Sequence, residues 1–267
     1  MNREENRDFH ESYWGKVLEI FKKVDPKKVS LEDLWSFTTY SEITNNFSLD
    51  VNNFDVRSLD NFVIINGFKP VYKSIFKQFV KDKQELITKE IPEGTTQVVD
   101  LGSGWGRNSI ILANKFPEIT FFSLENSEAG VECCKIIKNK YNLKNLICER
   151  FDYHEPQMLN KITVPKAHNE KVFYFSSYSI EQIPLLKKEL FDIILNSPYS
   201  ELKFFHIEPI GWQVENREKN TLSRYNNNLF SILQELKEQN LIEIVKVEVD
   251  VYGKQNNPGT IVTWKKK

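Results

Sequence analysis

The sequence predicts an α/β fold: a seven-stranded, mostly parallel sheet with helices on both faces, a final antiparallel strand pair and an N-terminal helical extension. Three observations carry this. From residue 97 onward, short apolar runs alternate with amphipathic helical stretches, the pattern of a parallel sheet. One such strand-to-helix junction is a glycine turn, Asp100-Leu-Gly-Ser-Gly-Trp-Gly-Arg107. The chain ends in two segments of alternating apolar and polar residues, which suits an antiparallel pair.

The elements follow in order. Ser12–Phe21 is apolar at helical spacing, and Asp25-Pro26 breaks it. A second helix is predicted from Ser30 to Phe37, with Ser30 as N-cap. Residues 41–66 are rich in Asn, Asp and aromatics with little periodicity. Pro70–Thr88 is predicted as an amphipathic helix presenting Val71, Ile75, Phe76, Phe79, Val80 and Leu86. Strands are then expected at 97–101, 119–124, 146–151, 171–176 and 202–207, with helices over 106–116, 127–141, 180–195 and 217–239. Leu241–Val251 and Gly259–Trp264 form the closing pair. The expected division is a helical extension or lid over 1–90 and a binding domain over 91–267.

Bulk properties narrow the functional classes. The 267 residues carry a formal charge of −1, from 36 Lys and Arg against 37 Asp and Glu. No basic surface for nucleic acid is indicated. No apolar run has the length of a membrane span. The N-terminus lacks the apolar stretch of a signal peptide, so a cytoplasmic location is expected. Cys133, Cys134 and Cys148 match no zinc spacing, and no metal site is expected; reduced thiols filling the core is the simplest role. Oligomeric state is not indicated.

The glycine turn is selective. A dinucleotide fingerprint needs G-x-G-x-x-G, which would place glycine at Arg107 or Ser109. A phosphate loop needs Lys-Ser or Lys-Thr after its second glycine, and neither follows. The pattern Asp100-x-Gly102-x-Gly104-x-Gly106 resembles motif I of the Rossmann-like (class I) methyltransferases that use S-adenosylmethionine (SAM). Leu124-Glu125-Asn126-Ser127 resembles the second motif of that family. The likeness spans about residues 91–264. It implies SAM as cofactor, S-adenosylhomocysteine (SAH) as product, and methyl transfer as activity.

Ligands of open parallel sheets bind outside the carboxyl ends of the strands, so candidate residues are read there. Gly102, Ser103, Gly104 and Gly106 form the turn, and glycine there lets backbone approach a ligand. Asp100 is expected to organise it by accepting backbone N–H groups. Glu125, roughly 20 residues on, suits the ribose hydroxyls; Asn126 follows it, and Ser127 is the better helix cap. By resemblance, Asp152 reads the adenine amino group, with Tyr153 against the ring. Ser176 ends the fourth strand, and Tyr178 and Glu181 after it are expected to contact cofactor or substrate. Tyr178 and Gln182 stand where the family commonly has histidines.

His206 and Glu208 share one face of the fifth strand, since strand side chains alternate. His206 is the candidate general base for a hydroxyl acceptor. Glu208 would orient it or hold substrate, and Trp212 would pack on the acceptor. The two segments after strands four and five resemble those of bacterial sugar O-methyltransferases, which implies a small-molecule or sugar hydroxyl as acceptor. Trp35, Phe37, Tyr40, Phe47, Phe54 and Phe62 are expected to close the mouth or pack as an added layer. Asn196-Ser-Pro-Tyr199 offers the alternative of N-methylation, provided that 191–195 is the strand before it. A SAM-binding regulatory protein without turnover is the non-enzymatic alternative.

Overall fold

The computed structural model describes residues 3–31, 62–64, 68–70, 73–162, 170–218, 226–254 and 257–267. Helix α1 is Arg3–Lys23, strand β1 Phe62–Ile64, β2 Phe68–Pro70 and α2 Lys73–Glu90. There follow β3 Gln97–Leu101, α3 Arg107–Lys115, β4 Thr120–Glu125, α4 Glu128–Lys140, β5 Leu146–Arg150 and β6 Lys171–Ser177. The chain closes with α5 Glu189–Leu195, β7 Glu201–Glu208, α6 Leu229–Glu238, β8 Ile242–Lys254 and β9 Asn257–Lys266.

The sheet runs β2-β1-β8-β9-β7-β6-β3-β4-β5. Its seven-stranded body is parallel from β5 to β7, and the closing β8–β9 pair is antiparallel, as predicted. The chain travels outward from β3 to β5, then crosses back so that β6 lies on the other side of β3. That reversal opens a crevice at the carboxyl ends of β3 and β6. The short β1–β2 hairpin, joined to β8 at Ile64–Gly253, extends the edge. It is absent from the sequence reading because three-residue strands give no measurable period.

Alternation along the strands sorts side chains into two cores. Phe173, Phe175 and Phe205 pack with Phe21, Trp105 and Phe121 on the face of α1, α3 and α4. Tyr174 and Phe204 pack with Phe191, Leu233 and Trp264 on the face of α5 and α6. Each such fully buried aromatic contributes about 1.5–3 kcal/mol.

Helix boundaries depart from expectation in places. The predicted 180–195 helix is a 3₁₀ turn, Ile180–Gln182, followed by α5. Pro184 forces Ile183 to be extended, at φ −104°, which interrupts the helix. The 217–239 helix shortens to α6, preceded by a helical turn at Gly211–Val214. Pro70 ends β2 instead of opening a helix. The helix predicted at 30–37 lies almost wholly outside the described residues, as do five of the six aromatics proposed as a lid. Among the described residues, no helix is long and apolar enough to cross a membrane.

Candidate functional site

The glycine turn opens α3 from the left-handed region: Gly102, Gly104 and Gly106 have φ of +71°, +60° and +84°. Gly102 and Ser103 donate their N–H groups to the carbonyl of Leu124 at 2.8 and 2.9 Å, tying the turn to the end of β4. The spaces a Cβ would fill are taken by protein. Ser179 Cβ lies 2.4 Å from that point at Gly102, Trp14 Cζ2 2.8 Å at Gly104, and Cys134 Sγ 2.5 Å at Gly106. Glycine is therefore required here by φ and by the chain's own packing.

Glu125, at the end of β4, is buried beside this turn. Its Oε2 accepts the Gly104 N–H at 2.9 Å, and its Oε1 accepts the N–H and hydroxyl of Ser127 at 3.1 and 2.9 Å. Ser127 also caps α4 as expected, accepting from Gly130 N. Three of the roughly four acceptor positions of the carboxylate are used, leaving one on Oε2. Asp152, beyond β5, accepts from His154 N through Oδ1 at 2.8 Å and from Arg3 Nε through Oδ2 at 2.8 Å. Tyr153 donates its hydroxyl to the Leu101 carbonyl at 2.8 Å, beneath the turn.

Gly102, Ser103, Gly104, Glu125, Asp152 and Tyr153 line a cavity of about 540 Å³ at the carboxyl ends of β3, β4 and β6. Of the residues predicted from sequence, Gly102, Ser103, Gly104, Glu125, Asn126, Asp152, Tyr153, Tyr178 and Glu181 line it. Tyr178 adopts φ +55°, a costly conformation of order 1–3 kcal/mol for a bulky residue. Its hydroxyl donates to the Tyr252 carbonyl at 3.1 Å, in a notch that a Cβ at Gly253 would fill. Glu181 accepts from Asn257 Nδ2 at 3.0 Å.

Six predicted site residues do not line the cavity. His206 is fully buried in the core, stacked on Phe204 with ring centroids 4.1 Å apart. Trp264 Nε1 donates to its Nε2 at 3.0 Å, and its Nδ1 meets Ser176 Oγ at 2.9 Å. With both nitrogens engaged, and burial pushing it down to about 3, it has no free lone pair for a substrate proton. The general-base expectation is corrected accordingly. Ser176 points into the same core; Ser177, one position on, faces the cavity.

Glu208 is likewise sealed. Its carboxylate accepts from Ser179 N, Ile180 N and Glu181 N at 3.2–3.3 Å, holding the 3₁₀ turn that borders the cavity. Burial pushes it up to about 7. Asp100 is also buried and pushed up to about 7; it accepts from the Ser109 hydroxyl at 2.8 Å rather than from the turn's backbone. Gly106 serves the helix start. Trp212 lines a separate depression with Asn216, Arg217 and Phe230.

Asn196–Tyr199 follows helix α5, not a strand, and Tyr199 donates to Gln97 Oε1 at 2.8 Å, at the opposite end of β3 from the cavity. The condition set for N-methylation is not met.

The main contribution missed from sequence is α1. Asn6, Phe9, His10, Tyr13 and Trp14 line the cavity, and His10 Nε2 lies 2.7 Å from Gln182 Oε1. Their three- and four-residue spacing was visible as a helix face; nothing local said which surface it meets. Lys83 of α2 and Arg107 also line the cavity. Asn6 Oδ1, Trp14 Nε1, Asn126 Oδ1 and Asn257 Oδ1 are buried polar atoms without a hydrogen-bond partner among the described residues. Each costs roughly 1–3 kcal/mol unless something satisfies it.

No protein-family model and no curated protein sequence matches the chain. Solved structures do. The [4+2]-cyclase SpnF is similar with a TM-score of 0.54 at 12% identity, covering 78% of this chain and 88% of its own. A geranyl diphosphate C-methyltransferase from Streptomyces coelicolor A3(2) gives 0.52 at 9%, covering 73% and 79%. An O-methyltransferase from Bacillus cereus in complex with SAH gives 0.50 at 13%, covering 70% and 80%. The chain thus has the Rossmann-like fold of the class I SAM-dependent methyltransferases. One of these three is a cyclase, so the fold by itself does not define the reaction.

Proposed function

We propose that the cavity binds SAM and that the protein transfers its methyl group to a hydroxyl of a small molecule or sugar. The observation that carries this reading is the anchoring of the Glu125 carboxylate on the Gly104 N–H of the glycine turn. It leaves one acceptor position beside the turn, which suits a ribose hydroxyl. Asp152 and Tyr153 line the same cavity and suit an adenine. Lys83 and Arg107 supply positive charge near the turn for the carboxylate of the amino-acid moiety. The volume falls within the range of small-ligand pockets.

SAM, when bound, supplies the electrophilic methyl group. The protein's part is to align an acceptor in line with it and to exclude water. Phe9, Tyr13 and Trp14 wall the cavity for the second task. A hydroxyl acceptor must also lose its proton. Among the described residues, His10 is the histidine that lines the cavity, and it replaces His206 as the candidate base.

The test is calorimetric titration of SAH, followed by transfer of labelled methyl from SAM to fractionated metabolites and glycans. Wild type is expected to bind SAH, and Glu125→Ala to bind it at least about tenfold more weakly, the effect of losing a charged hydrogen-bonding group. Absence of SAH binding by the wild type refutes the reading.

A further inference from the structure

Helix α1 reaches the cavity along one stripe, and its first turn and its middle touch different parts of the site. Trp14 packs against Gly104 in the glycine turn, and Arg3, three turns earlier, meets Asp152 beyond β5. Glu11, between them, accepts the N–H of Ala129 at the start of α4 at 3.1 Å. Arg3 bridges two acids: Nε and Nη2 lie 2.8 and 2.7 Å from Asp152 Oδ2, and Nη2 also binds Glu155. The Asp152 side chain is 4% exposed against 45% for Arg3, so a surface cation fixes a buried carboxylate in the cavity wall.

We propose that Arg3 is a positioning residue that sets Asp152 to read the 6-amino group of a purine base. This rests on the reading of the cavity as the SAM site. Arg3 holds Oδ2 and His154 N holds Oδ1, which together fix the carboxylate rotamer and leave acceptor capacity on Oδ1. A fixed carboxylate acceptor favours an amino group and repels a carbonyl at the same place. Arg3 acts only through Asp152. Its own ion pair, half in solvent, contributes little to stability, so its effect appears in base discrimination.

The experiment titrates two ligands, SAH and its inosine counterpart, in which a carbonyl replaces the 6-amino group. The proteins are wild type, Arg3→Ala and Arg3→Lys, with ligand-free melting temperatures to report folding separately. Wild type is expected to prefer SAH at least about tenfold, and Arg3→Ala to lose about tenfold in SAH affinity with little change for the inosine ligand. Arg3→Lys recovers part of the preference, because a point charge cannot span both acids as the guanidinium fork does. Equal weakening of both ligands, an unchanged ratio, or tighter SAH binding by Arg3→Ala overturns the proposal while leaving the SAM reading intact. Failure of wild type to bind SAH overturns both.

Discussion

His206 sits where catalytic histidines of such sheets are sought, yet the partners of its ring assign it to the core. An indole nitrogen can only donate, so the bond from Trp264 requires Nε2 to be unprotonated and Nδ1–H to donate to Ser176. Removing the ring strands both partners and leaves a hole beside Phe204. His206→Ala is expected to lose about 3 kcal/mol in denaturant unfolding, the scale of a large core truncation. Its SAH affinity, measured under folding conditions, is expected to stay close to wild type. A specific loss of methyl transfer without loss of stability would return His206 to the mechanism. Glu208 shows the same shift of role: a carboxylate placed for chemistry in the sequence instead accepts three backbone N–H groups of the 3₁₀ turn.

At the scale of elements, α1 and the glycine turn depend on each other. Gly104→Ala meets both a positive φ and Trp14, so it is expected to destabilise by about 1–3 kcal/mol and to weaken SAH binding, both readable by thermal shift. The far end of α1 is held from another helix. Lys140 Nζ donates to the carbonyls of Phe21, Lys22 and Val24 at 2.9, 3.0 and 2.6 Å, where the last turn of a helix leaves acceptors unmet. Lys140→Ala is expected to cost about 1–2 kcal/mol and to speed amide exchange within residues 3–23. Unchanged exchange there would show that packing of Phe21 on Trp105 suffices to dock the helix.

For the whole molecule, buried titratable groups give stability a characteristic pH dependence. Asp100 and Glu208, raised to about 7, stay protonated in the folded chain after the unfolded chain has ionised them. Their contribution is full below the unfolded values of 3.8 and 4.5 and is lost as pH rises through about 7. His206, lowered to about 3, acts oppositely: its contribution is present above 6.5 and lost as pH falls toward 3. The gap in unfolding free energy between Glu208→Gln and wild type is therefore expected to move in the variant's favour from pH 4.5 to above 7. A pH-independent gap would contradict the raised value. The architecture was largely legible beforehand, because the alternation of strand and helix from residue 97 and the closing pair follow from local periodicity. Glu125 was legible because it ends β4, and Asp152 because it stands two residues beyond β5, both at the carboxyl edge that holds the crevice. The error at Ser176, His206 and Glu208 came from facing. Alternation says that two residues share a face, but not whether that face meets the cavity or α5 and α6.

The sequence by itself determined the parallel sheet, the glycine turn and the acid after β4, since each is written in residues close together along the chain. Only the tertiary structure decided which side of the sheet each strand-end residue faces and what closes the crevice. Arg3 finds Asp152 across 149 positions, and Trp14 finds Gly104, because burial of Phe21 against Trp105 docks α1 there. A helix face records that it must be covered, and the partner that covers it is fixed only when the whole chain has packed.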